Sequence, residues 1–147
     1  MKTGLRLLGL LILGVVPAFA VLGQYESSVS LDQQNLRGED REQAAAGYRL
    51  HQITTPNGAV IREYVSPEGK VFGIAWQAQA LPNLQQLLGS YFDDVHQAAV
   101  SKSRRGGPLI VKKDDFMFFS GGHMRYFVGR AYVPSLLPKN VSAEVVR

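Results

Sequence analysis

The sequence predicts an α+β fold: an antiparallel sheet of about six strands, in the order three strands, helix, three strands, with one long amphipathic helix packed on one face. Three observations predict it. Short runs rich in β-branched and aromatic residues fill the chain from residue 48 to 77 and again from 109 to 133. The gaps between the first three runs carry Pro and Gly. Between the two sets, apolar residues recur at helical spacing from Leu84 to Ala99.

The first element is not part of that fold. Lys2 and Arg6 lead into the apolar run Leu7 to Val16, followed by Pro17 and the small-residue pattern Ala18-Phe19-Ala20. This is the layout of a secretory signal peptide over residues 1–20, with Ala18 and Ala20 meeting the small subsites of a signal peptidase and cleavage after Ala20. The expected location is therefore periplasmic or secreted. Removing 20 of 147 residues leaves 127, enough for one ordinary domain, and the loss of Lys2 and Arg6 lowers the formal charge from +4 to +2. So small an excess suits solubility and argues against a nucleic-acid partner. No cysteine is present, which excludes disulfides, thiolate catalysis and cysteine-based zinc sites. No apolar stretch after Ala20 reaches the roughly eighteen residues of a transmembrane helix.

Residues 21–47 read as a polar N-terminal arm, with a short helix around Ser28 to Arg37 and a solvated charge cluster at Arg37, Glu39, Asp40, Arg41 and Glu42. Residues 48–134 form the single domain. Its first strands are Tyr48 to Thr54, Ala59 to Val65 and Lys70 to Gln77, and the gaps Pro56-Asn57-Gly58 and Ser66-Pro67-Glu68-Gly69 make them a meander. Leu81-Pro82-Asn83 opens the helix. Leu84, Leu87, Leu88, Tyr91, Phe92, Val95 and Ala99 form its apolar stripe, interrupted only by Gly89. Strand character returns at Leu109 to Lys112, Phe116 to Ser120 and Met124 to Val133, with a hairpin loop at Ser120-Gly121-Gly122-His123. Phe116 to Phe119 is apolar on both faces and belongs in the middle of the sheet. Residues 135–147 are a C-terminal tail.

Three stretches form a recognisable set: Leu22-Gly23 with Ser27-Ser28-Val29, the run Arg62-Glu63-Tyr64-Val65-Ser66-Pro67-Glu68-Gly69-Lys70-Val71-Phe72 ending in Ala75-Trp76, and Pro82-Asn83-Leu84-Gln85-Gln86-Leu87-Leu88-Gly89-Ser90-Tyr91-Phe92. With them the chain resembles an exported bacterial family, the domain of unknown function 2844, over nearly its whole mature length. The resemblance implies export and a single domain. It implies no activity, ligand or catalytic residue.

Chemistry-bearing residues are scattered. His51, His96 and His123 show no metal-ligand spacing, so no metal and no cofactor is expected. Met117, His123 and Met124 offer soft copper ligands, but Met117 sits at core spacing. In Asp93-Asp94 and Asp114-Asp115 adjacent residues point apart, so neither pair is a glycosidase dyad. No serine lies in a G-x-S-x-G elbow. Lys102, Arg104, Arg105, Lys112 and Lys113 concentrate positive charge suited to an anionic envelope component, and Asp114 and Asp115 balance part of it. Trp76 is read as a core residue. The function expected is that of an exported non-enzymatic protein binding an envelope protein or an anionic envelope component through the sheet face the helix leaves open. Arg62 and Tyr64, which alternate onto one face of their strand, are the expected partner-binding residues beside Lys102, Arg104 and Arg105. The alternative is a small periplasmic hydrolase or a ligand-binding pocket between helix and sheet.

Overall fold

The computed structural model describes residues 22–102 and 106–147, so the expected signal peptide, with Ala18 and Ala20, and the basic residues Arg104 and Arg105 lie outside the described residues. Seven strands form one antiparallel sheet: β1 (Glu39–Ala45), β2 (Tyr48–Thr54), β3 (Val60–Val65), β4 (Val71–Ala78), β5 (Leu109–Lys113), β6 (Phe116–His123) and β7 (Tyr126–Tyr132). Their order across the sheet is β1-β2-β3-β4-β7-β6-β5. Among the described residues, three α-helices accompany them: α1 (Val29–Leu36), α2 (Leu84–Leu88) and α3 (Phe92–Ser101).

This corrects the predicted fold class twice. The extra strand is β1, whose sequence Glu-Asp-Arg-Glu-Gln-Ala-Ala has no apolar alternation because it lies at the sheet edge and is exposed along almost its whole length. An edge strand needs only its backbone ladder to β2, which runs from Glu39 opposite Thr54 to Ala45 opposite Tyr48. Charged side chains on such an edge also discourage pairing with other chains. The single long helix is likewise absent. Gly89 takes φ 52° and ψ −120°, which stops α2, and a 3-10 turn over Gly89–Tyr91 redirects the chain into α3. Asn83 caps α2, its side chain accepting from the Gln86 N–H at 3.2 Å. The fold is mainly β, with helical segments far shorter than the stripe implied.

Strand alternation gives the sheet two different faces. On one, Ile53, Ile61, Val65, Ile74, Trp76, Phe116, Phe118 and Ala131 pack under Val29, Leu84, Leu87, Leu88 and Val95 of the three helices. Full burial of a leucine such as Leu87 or Leu88 stabilises by about 1.5–3 kcal/mol. The N-terminal segment is docked on this side: Leu22 is 1 % exposed, and its N–H donates to the Leu87 carbonyl at 3.2 Å. Phe116–Phe119 lies in β6, one strand from the edge rather than in the middle, and β4 holds the centre.

The second face is not open throughout. Over β2, β3 and β4, the C-terminal residues Leu137, Val141, Val145 and Val146 cover Tyr48, Tyr64, Phe72 and Ala75. Val146 is fully buried over Gly73, where an added Cβ would lie 2.6 Å from a Val146 methyl. Among the described residues, the tail leaves bare the edge strand β1 and, on the other side, the apolar part of this face formed by β7, β6, β5 and the end of β4.

Candidate functional site: a groove on the open half of the sheet

The ladder registers align one row of side chains across this second face. Arg41 of β1 stands opposite Gln52, Gln52 opposite Arg62, Arg62 opposite Ala75, Ala75 opposite Arg130, Arg130 opposite Phe119, and Phe119 opposite Ile110. Arg62 and Arg130 therefore flank Ala75 two strands apart, roughly 9–10 Å at the usual strand spacing. The end of the tail lies between them. Arg130 Nη1 donates to the Val146 carbonyl at 3.4 Å, and Arg62 Nε donates to Gln52 Oε1 at 3.3 Å.

Beside that row the surface falls into a depression of about 310 Å³ bordered by Arg62, Gln77, Phe119, Val128, Arg130 and Arg147. A second depression of about 210 Å³, bordered by Ile110, Lys112, Met117 and Tyr132, shares Phe119 and Arg130 with the first. Together they make one shallow groove across β4, β7, β6 and β5, with an apolar floor and a cationic rim. No Asp or Glu lines it among the described residues.

The predicted binding residues are placed unevenly. Arg62 lines the groove, half-exposed. Tyr64 shares its face but is 2 % exposed beneath the tail, so it is a packing residue there and not a contact surface. Lys102 does not reach the groove: its Nζ donates to the carbonyls of Gly107 and Pro108. Lys112 and Lys113 alternate, the first onto the groove face and the second toward α3, where its Nζ meets Asp94 at 2.5 Å. Arg130, Arg147, Phe119 and Val128 escaped sequence reading. Only the pairing of β4 with β7 brings Arg130 near Arg62, and no local pattern announces that pairing.

The opposite face holds a polar network around His51. His51 of β2, 7 % exposed, meets Asp40 Oδ2 through Nδ1 at 2.7 Å and Glu26 Oε1 through Nε2 at 3.1 Å. Burial lowers the His51 pKa, but the hydrogen bonds to the two carboxylates outweigh it and hold it above the ordinary value. Arg49 binds Glu26 through both Nε, at 2.8 Å, and Nη2. Its hydrogen bond is the largest influence on Glu26 and keeps that carboxyl below the usual range. Glu26, Glu42 and His51 approach one another closely enough to suggest metal ligands, yet the guanidinium of Arg49 already supplies their counter-charge.

Deeper still, Asp32 of α1 and Glu63 of β3 are both fully buried. Burial raises Asp32 to about 6, against hydrogen bonds from Gln86 and Glu63. Burial also pushes Glu63 well above its ordinary value, reinforced by the charges of Asp32 and Asp40. As two carboxylates, they would leave both Glu63 oxygens and Asp32 Oδ2 without a donor. A proton on Glu63 removes the conflict, because the protonated oxygen donates to Asp32. Sealed from solvent, the pair has no route to a substrate.

The remaining expectations for metal ligands resolve as separate placements. His96 is exposed on α3 against Phe92, and His123 stacks on Tyr126 at 5.5 Å in the β6–β7 hairpin, so the three histidines share no site. Met117 and His123 lie six positions apart along β6, roughly 20 Å, too far for one copper ion. No helix among the described residues is long and apolar enough to cross a membrane.

Comparison with curated proteins and with solved structures finds no match. A family model described as "Protein of unknown function (DUF2844)" matches residues 18–146, and the chain belongs to that family.

Proposed function

We propose that the protein is exported and acts as a non-enzymatic binding protein of the cell envelope, holding an envelope component or a protein partner in the groove over β4, β7, β6 and β5. One observation carries this reading: among the described residues, the part of the sheet over β4, β7, β6 and β5 that neither helices nor tail cover has an apolar floor, with Arg62 and Arg130 at its rim and no Asp or Glu among the lining residues. Exposed apolar surface framed by cationic side chains is surface suited to a ligand. Export rests on the N-terminal pattern ending at Ala18-Phe19-Ala20. Leu22 is a core residue, so cleavage after Ala20 spares the fold. The hydrolytic alternative finds less support. The depression of about 380 Å³ beside the end of α1 has Arg37 as its single ionisable lining residue, and the Asp32–Glu63 pair is enclosed.

Photo-crosslinking in the producing cell tests the reading. A benzoylphenylalanine placed at Val128, in the groove, should give a discrete adduct, whereas the same group at Gln97, exposed on α3, should give none. Equal labelling from both positions, or none from Val128, contradicts it. Intact-mass measurement of the exported protein should find Val21 at its N-terminus.

A further inference from the structure

We infer that the groove takes an amphiphilic anion, an oxyanion head carried on a single apolar chain; this rests on the groove being the binding surface. The argument begins with charge. Arg62, Arg130 and Arg147 all line the larger of the two depressions, and no Asp or Glu is among its lining residues. Among the described residues, Arg62 and Arg130 make long hydrogen bonds to neutral acceptors, Gln52 Oε1 at 3.3 Å and the Val146 carbonyl at 3.4 Å. A carboxylate or phosphate head would give those guanidinium groups shorter, charge-assisted bonds.

The second part is shape. From the head position the floor continues over Val128 and Phe119 into the neighbouring depression, past Met117 to Ile110, which is 53 % exposed. Phe119 and Arg130 border both depressions, so head site and apolar path are contiguous. Side chains there are half-buried or exposed, and among the described residues no helix or tail segment packs over them as Val145 and Val146 pack over the other half. A free inorganic anion would use the arginines and waste the floor. A cationic or neutral amphiphile would use the floor and meet the arginines unpaired. Only an anion with an apolar chain uses both.

Calorimetric titration of the full protein with laurate, dodecyl phosphate, inorganic phosphate and dodecyltrimethylammonium, each below its micelle concentration, tests the inference. Laurate and dodecyl phosphate should bind, inorganic phosphate at least about tenfold more weakly, and the ammonium amphiphile not measurably. The double variant Arg62→Gln with Arg130→Gln should weaken laurate by about tenfold or more while keeping its melting temperature, and Phe119→Ser should weaken laurate but not phosphate. Dodecyltrimethylammonium binding as tightly as laurate, or laurate affinity unchanged in the double variant, overturns the inference. Absence of binding by any amphiphile also overturns it. In that case a Val128-specific crosslink would still uphold the groove as the binding surface, and its loss would remove both.

Discussion

Tyr64 and Arg147, 83 positions apart, are joined by two hydrogen bonds: the Tyr64 hydroxyl donates to the Arg147 carbonyl at 2.8 Å and accepts from its N–H at 3.1 Å. This double link pins the last residue over β3 and sets where the groove begins. Tyr64→Phe removes both bonds and should cost about 1–2 kcal/mol. Hydrogen exchange should then show faster exchange at Val145–Arg147 with β3 amides unchanged. Unaltered protection of the tail would mean that Val146 on Gly73 holds it without Tyr64.

The Asp32–Glu63 pair makes stability fall as pH rises. Both carboxyls have folded pKa values above their unfolded ones, so the folded state holds the extra protons. Their contribution is full below about pH 4 and is lost as pH climbs through about 6 for Asp32 and higher for Glu63. His51, also raised, acts in the same direction from its unfolded value of 6.5 upward. Glu26 is opposed, since its lowered pKa costs stability below 4.5. The melting temperature should therefore peak near pH 5 and decline toward pH 8. Glu63→Gln, which keeps a donor for Asp32 without a titrating proton, should flatten that decline. A melting temperature that rises from pH 5 to pH 8 in the native protein would contradict the shared proton.

Leu88→Asp should unfold the domain, whereas Gln85→Asp should leave its melting temperature nearly unchanged. Leu88 is 0 % exposed beneath the sheet and Gln85 faces solvent on the same short helix. An unpaired carboxylate at Leu88 costs several kcal/mol against a typical total of about 5–15. Equal melting curves for the two variants would remove α2 from the core.

How much of this was legible follows from what each element needs of its side chains. Strands β2, β3 and β4 announce themselves because both of their faces are packed, which demands β-branched and aromatic residues and Pro-Gly turns between them. The edge strand β1 is held by backbone bonds and outward charges, so its sequence looks like a loop. At Gly89 the apolar stripe continues in sequence while the helix does not, since spacing reports which residues are buried and not the backbone that carries them. Half of the groove was legible in the same sense: Arg62 could be assigned to its face by alternation. The covering of Tyr64 and the approach of Arg130 depend on the tail and on the β4–β7 pairing, both long-range.

That pairing has a tight point at Gly129. An added Cβ there would lie 2.0 Å from the Trp76 ring and 2.7 Å from the Phe119 carbonyl oxygen. Gly129→Ala should therefore destabilise by about 1–3 kcal/mol through overpacking, and the fluorescence of Trp76, the only tryptophan, should shift toward the red. A stability equal to the native protein's would show that β7 can move away from β4 without loss.

The measurement that bears most directly on the groove is amide chemical-shift mapping of the isotope-labelled protein during titration with laurate. Perturbations should gather at Arg62, Gln77, Phe119, Val128 and Arg130, saturate together, and disappear in the Arg62→Gln, Arg130→Gln double variant. Perturbations centred instead on α1, α2 and α3, with the β4 and β7 amides silent, would contradict a binding surface on the open half of the sheet.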